Sequence, residues 1–316
     1  MQNDAGRFPK GRGTETLRLA SFGLLILVLI STASAAPWPE ALIRLERRPA
    51  NGGGAQVSTA IAVAPGLLAS IIDKSADSDG YRAVMDSVTS PVKLLVRDSN
   101  SGFALFAASD NTEPAWPVVP LGNAPGELKP GISLTLQSAA PAPARLAGRD
   151  LLYNSTLLQS PWLRVNLPPG TWMHGTPLTM NGGTLAGLLA GGVPNVPESA
   201  RILPAAAVQH FVKLWHDRQT LAHAELGIRL SQTDAIPRIV ECYAAFPAER
   251  AGIHPGDVLL SIGATEVADA AAAAEACFYL RVDEPVKITV LRGTDTIELP
   301  VTPVSASAKK VETPGK

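Results

Sequence analysis

Phe246-Pro247-Ala248-Glu249-Arg250-Ala251-Gly252-Ile253-His254-Pro255-Gly256-Asp257-Val258-Leu259-Leu260-Ser261-Ile262 is the stretch whose reading decides the fold. Phe246–Ala251 carries helix formers and ends at Gly252, the residue type that a helix C-terminus places at positive φ. Pro255-Gly256 supplies turn chemistry, and Val258–Ile262 is an apolar run of strand length. Downstream, an alanine-rich segment from about Ala268 to Leu280 predicts a helix. Val286–Leu291 and Thr296–Val301, joined by Arg292-Gly293-Thr294-Asp295, predict a hairpin.

Upstream, from Ala55 to about Ser199, short apolar runs alternate with turn signals: Gln56–Val63, Gly66–Ile72, Ser90–Val96, Phe103–Ala107, Trp116–Leu121, Ile132–Gln137, Leu163–Leu167 and Leu185–Ala190. Strands at that spacing predict an all-β barrel or sandwich. Pro37–Asn51 reads as a lead-in strand or short helix, and Asn51–Gly54 as a break. Ala205–Ala224 predicts a helix, with Val208, Phe211, Val212 and Trp215 on one face. The 316 residues are a two-domain length, and 27 Gly with 27 Pro punctuate too often for a helical bundle. A net charge of −1 without a basic stripe excludes a nucleic-acid footprint.

At the N-terminus, Lys10, Arg12 and Arg18 precede an apolar run from Leu19 to Ile30. Ala33-Ser34-Ala35 then offers a small-x-small cleavage site. The run is shorter than the roughly 20 residues of a bilayer span. It reads as a cleaved signal peptide or an uncleaved anchor, and either exports the rest of the chain. Cys242 and Cys277 admit two readings: a disulfide, as suits an exported protein, or two small buried residues.

The opening stretch resembles the "SPAxxAGxxxGDxIxxING" signature of PDZ domains, in the form carried by HtrA-type (Deg-type) proteins. The rest of the chain is similar to that family in the right order. Ala60–Ser70 resembles the strand-turn-strand that leads to its catalytic histidine. Asp98–Phe106 resembles "DxxxDLALLKV", which carries its catalytic aspartate. Pro120–Asn123 with Leu128–Gly131 resembles "LGDSxxLKxGxxVxAIG". Gly175–Leu178 with Asn181–Leu188 resembles "GNSGGPLxNxxGxVIGI", and Arg201–Pro204 resembles "FAIP". The resemblance implies a mainly β chain: a trypsin-like double β-barrel followed by an α+β PDZ domain. It divides the chain into a signal peptide or anchor (1–35), a trypsin-like domain (36–204), a linker helix (205–220), a PDZ domain (221–304) and a disordered tail (305–316).

The family's chemistry needs a hydroxyl nucleophile, an imidazole base, an orienting carboxylate and backbone donors for the oxyanion. The matching positions hold none of the three side chains. Ile72 or Asp73 falls on the histidine, Gly102 on the aspartate and His174 on the serine, and Trp172 stands at the oxyanion glycine. No histidine precedes His174, so a shifted alignment recovers none. A Thr176–His174 pair is the one alternative nucleophile, set against Thr176 as a packing residue. His210, His216 and His223 invite a metal reading. His216 and His223 would stand about 10 Å apart along a helix, so solvated helix histidines are expected instead.

The resemblance leaves the PDZ half equipped. Ala224-Glu225-Leu226-Gly227-Ile228 resembles the carboxylate-binding loop, whose successive amides form a nest. The strand that follows, with Ile228, Arg229 and Leu230, would accept a ligand as an added strand. The reading is therefore an exported periplasmic protein, soluble or anchored to the inner membrane, without cofactor or metal. It would bind peptides or protein C-termini as scaffold, adaptor or regulator in protein quality control. Implied partners include an active HtrA-type protease, in homo- or hetero-oligomers. The alternatives are a hydrolase with an atypical nucleophile and a PDZ component of a secretion complex.

Overall fold

The computed structural model describes residues 38–306 apart from 39, 49–53, 74–78, 110–114, 123–127, 150–159, 171, 182 and 232. The expected signal segment, and all of the expected tail except Ser305 and Ala306, lie outside the described residues.

Strands β1 (Ile43–Arg47), β2 (Gln56–Ala64), β3 (Leu67–Ile71), β4 (Tyr81–Met85), β5 (Val88–Arg97) and β6 (Phe103–Ala108) close a barrel in the order β1-β2-β3-β6-β5-β4. Strands β7 (Ser133–Leu136), β8 (Ala142–Arg149), β9 (Leu163–Asn166), β10 (Pro177–Thr179), β11 (Leu185–Val193) and β12 (Val196–Pro204) close a second, ordered β10-β11-β12-β9-β8-β7. The lead-in segment is thus a strand. Trp116–Leu121, expected as a strand, makes only isolated bridges from Val118 to Ala62 and from Leu121 to Leu185. Pro117 and Pro120 deny it a continuous ladder. β4 and β8 were not foreseen; in β8 the Ala-Pro-Ala-Arg sequence masks the alternation.

Three strands of the first barrel are apolar on both faces, and their period of two explains why. Ala60 and Ala62 of β2, Leu68 of β3, and Ala104 and Phe106 of β6 fill the barrel interior. The alternate residues Ile61, Val63, Ala69, Ile71, Phe103 and Leu105 face outward into a second core. β11 and β12 meet this seam from the other barrel with Leu185, Leu188 and Leu203. Helix α1 (Ala205–Arg218) lies on it through Val208, Phe211 and Leu214. Phe211 stacks on Phe103 with ring centroids 4.8 Å apart. The helix stops short of the expected Ala224. Gln219 adopts φ 53° and closes it, its backbone and side-chain amides both donating to the Trp215 carbonyl.

The C-terminal domain comprises β13 (Ala224–Glu225), β14 (Ile228–Leu230), β15 (Ile239–Cys242), α2 (Pro247–Arg250), β16 (Val258–Ile262), β17 (Thr265–Glu266), α3 (Ala270–Phe278), β18 (Val286–Arg292), β19 (Asp295–Val301) and β20 (Val304–Ser305). Its main sheet runs β17-β16-β18-β19, with β13-β20 and β14-β15 as separate pairs. The opening stretch thus folds as read, with Gly252 at φ 84° after α2. Asp257 is buried and its carboxylate is fully employed. It accepts two 2.8 Å bonds from Arg292 and one of 2.9 Å from the His254 amide. Burial raises its pKa, and these bonds more than reverse the rise.

Phe278, at the end of α3, inserts into the barrel seam. Around it, Arg149 pairs with Glu275 at 2.9 Å and Arg281 with Asp217 at 2.6 Å. Cys242 and Cys277 are free thiols, so they are not paired as the first reading allowed, and each is half-buried against the PDZ core instead of fully buried as the second had it. Burial pushes the Cys277 thiol up to about 12.

Because Phe211 joins both barrels to the PDZ helix, Phe211→Ala is expected to cost about 3–5 kcal/mol, the usual range for a buried aromatic. Urea unfolding followed by tryptophan fluorescence measures it; a loss below about 1 kcal/mol would mean that the seam contributes little.

Candidate functional site

Two places combine an open surface with organised polar groups. The first is the edge of β14. Gly227 sits at φ 78°, and a Cβ there would meet the Cβ of Phe246 at 2.1 Å, so no side chain fits without displacing that ring. The Tyr243 amide donates to the Gly227 carbonyl at 2.9 Å. In the antiparallel pair Ile228↔Cys242 this geometry turns the N–H and C=O of Ile228 away from β15. β14 has no strand on its other side among the described residues. The amides of Leu226, Gly227 and Ile228 therefore donate to no described residue. They are three successive donors next to an open edge, the arrangement of an anion nest. Leu226 anchors the loop in the domain core, and Ile228 and Leu230 pack against that core, while Arg229 points to solvent and pairs with Glu241 at 2.8 Å.

Glu225 precedes the nest by one residue. It is 6% exposed, and its Oε1 has no hydrogen-bond partner among the described residues. Burial without compensation pushes its carboxyl up from the ordinary range. Sequence reading passed it over, although an acid between Ala224 and Leu226 in an otherwise apolar loop was a visible signal.

The second place is the cleft between the barrels. Ile72, Asp73 and His174 line one cavity, and Gly102 abuts Ile72, whose amide donates to the Gly102 carbonyl at 2.9 Å. Gly102 lies at φ 75°, where a Cβ would stand 2.5 Å from the Ile72 carbonyl oxygen, so this backbone has no room for a carboxylate side chain. The His174 carbonyl accepts from the Thr59 amide at 2.8 Å, which ties the loop to the first barrel. A Cβ on Gly191 would lie 3.3 Å from the His174 ring, and one on Gly192 4.0 Å from the Trp172 ring. Both rings thus stand over the far end of β11. The Thr176 hydroxyl is buried and donates to the Met173 carbonyl at 2.8 Å, which is the packing role.

A hydroxyl, an acid and an imidazole do meet elsewhere. Asp98, 3% exposed, accepts from the Ser101 amide at 2.8 Å, from Ser101 Oγ at 2.5 Å and from His223 Nε2 at 2.7 Å. The carboxylate stands between the other two, so the imidazole does not touch the hydroxyl it would have to activate. Among the described residues no Ser or Thr hydroxyl hydrogen-bonds an imidazole. Burial raises the Asp98 pKa, but His223 and the two Ser101 bonds hold it below the usual range.

The expectation of solvated helix histidines is corrected for two of three. His223 lies beyond α1 and pins the start of the PDZ domain to the first barrel. His210 packs among Phe211, Phe278 and Tyr279, and burial, with the charges of His223, Arg281 and Lys213, lowers it to about 4. Only His216 is exposed as expected, beside Asp217. Among the described residues no group of three or more potential ligands could hold a metal ion.

Comparison with known proteins places this geometry. The PDZ domain family matches residues 224–302. No curated protein sequence matches. Among solved structures, the HtrA-type protease AlgW with tripeptide is similar at a TM-score of 0.65 and 17% identity, covering 85% of this chain and 94% of its own. AlgW with decapeptide is similar at 0.61 and 15%, covering 86% and 96%. The serine endoprotease from Yersinia pestis is similar at 0.58 and 14%, covering 85% and 95%. The chain has the fold of HtrA-type proteases, two closed barrels followed by a PDZ domain.

His210 is held neutral in the fold and gains its proton on unfolding, so the unfolded state binds more protons between about pH 4 and 6.5. Unfolding free energy is expected to rise across that window by up to one proton's worth and to level off on either side. His210→Phe should flatten the rise; an unchanged slope in urea titrations at several pH values would refute this assignment.

Proposed function

We propose that this chain is a non-catalytic HtrA-type protein that grips C-terminal or unstructured peptide segments at the edge of β14 and uses its barrels as framework. The observation that carries the reading is the cleft. Where the family's hydrolysis needs imidazole, carboxylate and hydroxyl, the matching positions are Ile72 or Asp73, Gly102 and His174, and Gly102 leaves no space for an acid. An aligned nucleophile and base supply most of such an enzyme's acceleration.

The grip is built from backbone. A peptide's terminal carboxylate would accept from the amides of Leu226, Gly227 and Ile228, and its chain would extend β14 as a further strand. Specificity would come from alternate side chains over Ile228, Leu230 and the small residues of α3. The PDZ match and the peptide-bound AlgW structures support the peptide reading. The N-terminal sequence supports placement in the cell envelope. There the protein would present clients to an active HtrA-type protease, or restrain one, as scaffold or adaptor in protein quality control.

Incubation of the full chain with unfolded casein and a fluorophosphonate is expected to give neither cleavage nor label. Turnover abolished by His174→Ala or Thr176→Ala would overturn the non-catalytic reading. For the groove, Ile228→Pro removes one nest donor at an edge position where proline is tolerated. It should weaken binding of free-carboxylate peptides about tenfold, the equivalent of one lost charge-assisted bond, in a chain that circular dichroism shows to be folded. C-terminally amidated peptides binding as tightly would reject the nest.

Glu225 adds a pH dependence. Burial keeps it neutral to a higher pH than an ordinary carboxyl, and deprotonation above that titration places a negative charge beside the nest. Peptide affinity should fall as pH rises through that titration, and Glu225→Gln should remove the fall. Fluorescence anisotropy over a pH series reads both.

A further inference from the structure

The seam between the PDZ domain and the barrels is built unlike the cores on either side of it. Each barrel has an interior cluster of its own, and so has the PDZ domain. To the core between them the PDZ domain contributes Phe278 as its one buried side chain among the described residues, with Tyr279 partly buried beside it. Ion pairs also cross the seam: Arg149–Glu275 at 2.9 Å, Arg281–Asp217 at 2.6 Å and Arg218–Glu284 at 3.1 Å. These pairs are partly exposed and contribute little.

The seam also leaves polar groups uncompensated. The Tyr279 hydroxyl and Arg281 Nε are buried and hydrogen-bond no described residue. The His210 ring lies against Tyr279 and Phe278, with centroids 5.4 and 5.5 Å away, and its nitrogens likewise bond no described residue. Such groups regain hydrogen bonds with water when the two faces part, so each of them favours separation.

His210 is where a proton acts. The charges that bear on its ring come from Lys213 on its own helix, from His223 on the segment before β13 and from Arg281 on the PDZ domain, and all disfavour a proton there. The carboxylates of the seam are engaged with other cations: Asp98 with His223, Asp217 with His216 and Arg281, Glu275 with Arg149, and Glu284 with Arg218 and Arg281. Protonated His210 is therefore a cation that the docked state neither hydrates nor pairs. Water solvates it once the PDZ face departs.

We propose that His210 is a proton-operated latch on the PDZ domain. Its protonation withdraws Phe278 and Tyr279 from the seam, and the PDZ domain swings out while it and both barrels stay folded. The pivot is His223, which its 2.7 Å bond to Asp98 keeps on the first barrel. Helix α1 remains on the barrels through Phe211 and Leu214. Burial, and then the neighbouring charges, hold the docked His210 at about 4, and separation returns it toward 6.5, so separation takes up a proton. The ratio of separated to docked chains rises as pH falls through that window, by up to about 300-fold in all, and is flat on either side. The latch operates whatever the groove binds.

Spin labels at Val88→Cys on the first barrel and Val240→Cys on the PDZ domain, both exposed positions, read the separation in the full chain with Cys242 and Cys277 replaced by alanine. Double electron–electron resonance at pH 7.5 should give one narrow distance. At pH 4.5 a longer, broader population should join it and vanish on neutralisation, while near- and far-UV circular dichroism keep their neutral-pH form. His210→Phe and His210→Gln, uncharged at either pH, should keep the narrow distance alone. The proposal is overturned if the distances are unchanged at pH 4.5, or if the broad population appears equally in a folded His210 variant. It is overturned as well if the circular dichroism signal collapses in step with the distance change, since unfolding then accounts for it.

Discussion

The whole architecture depends on strands that are apolar on both faces. In β2, β3 and β6 one set of side chains fills a barrel while the alternate set builds a second core outside it. A closed barrel alone needs only its interior covered. The outward set, Ile61, Ile71, Phe103 and Leu105, requires a partner surface, and β11, β12 and α1 supply it. The hydrophobic effect thereby holds three units together through one continuous seam. Phe211 stands at its centre, stacked on Phe103 and edge-on to Phe278 of the PDZ helix.

That seam is reinforced by polar contacts whose value lies in orientation more than in energy. Exposed pairs such as Arg218–Glu284 contribute little. Asp98–His223 differs because both groups are largely shielded from water, and it adds to the two bonds that Asp98 accepts from Ser101. It fixes the segment between α1 and β13, and hence the approach to the Leu226–Ile228 nest. The same helix, α3, carries Phe278 into the seam and Glu275 to Arg149. Groove and barrels therefore share one rigid element.

The cleft between the barrels is held by contacts of different kinds. The His174 carbonyl accepts from the Thr59 amide, and the Ser70 hydroxyl donates to the Thr59 carbonyl at 2.7 Å. The first bond runs from main chain to main chain and is independent of the side chains around it, whereas the second comes from the Ser70 hydroxyl. Gly102 is fixed by its backbone, because its positive φ and its contact with Ile72 leave no room for a side chain.

Much of this was legible in the chain. The turn chemistry of Gly252 and Pro255-Gly256, the apolar run Val258–Ile262 and the alternation in β2, β3 and β6 are local properties, and local sterics and periodicity determine them. The absence of any histidine before His174 is likewise a fact of sequence. Tertiary structure alone decided which face met which partner. Asp98 and His223 are 125 residues apart, and no periodicity brings an acid in one barrel to an imidazole beyond α1. Glu225 and Arg47 look like surface charges in the sequence, since burial is conferred by distant elements closing over them. The proline-broken segment Trp116–Leu121 and the early end of α1 at Gln219 belong with these. There the backbone's own limits met a packing demand that no single window of residues contains.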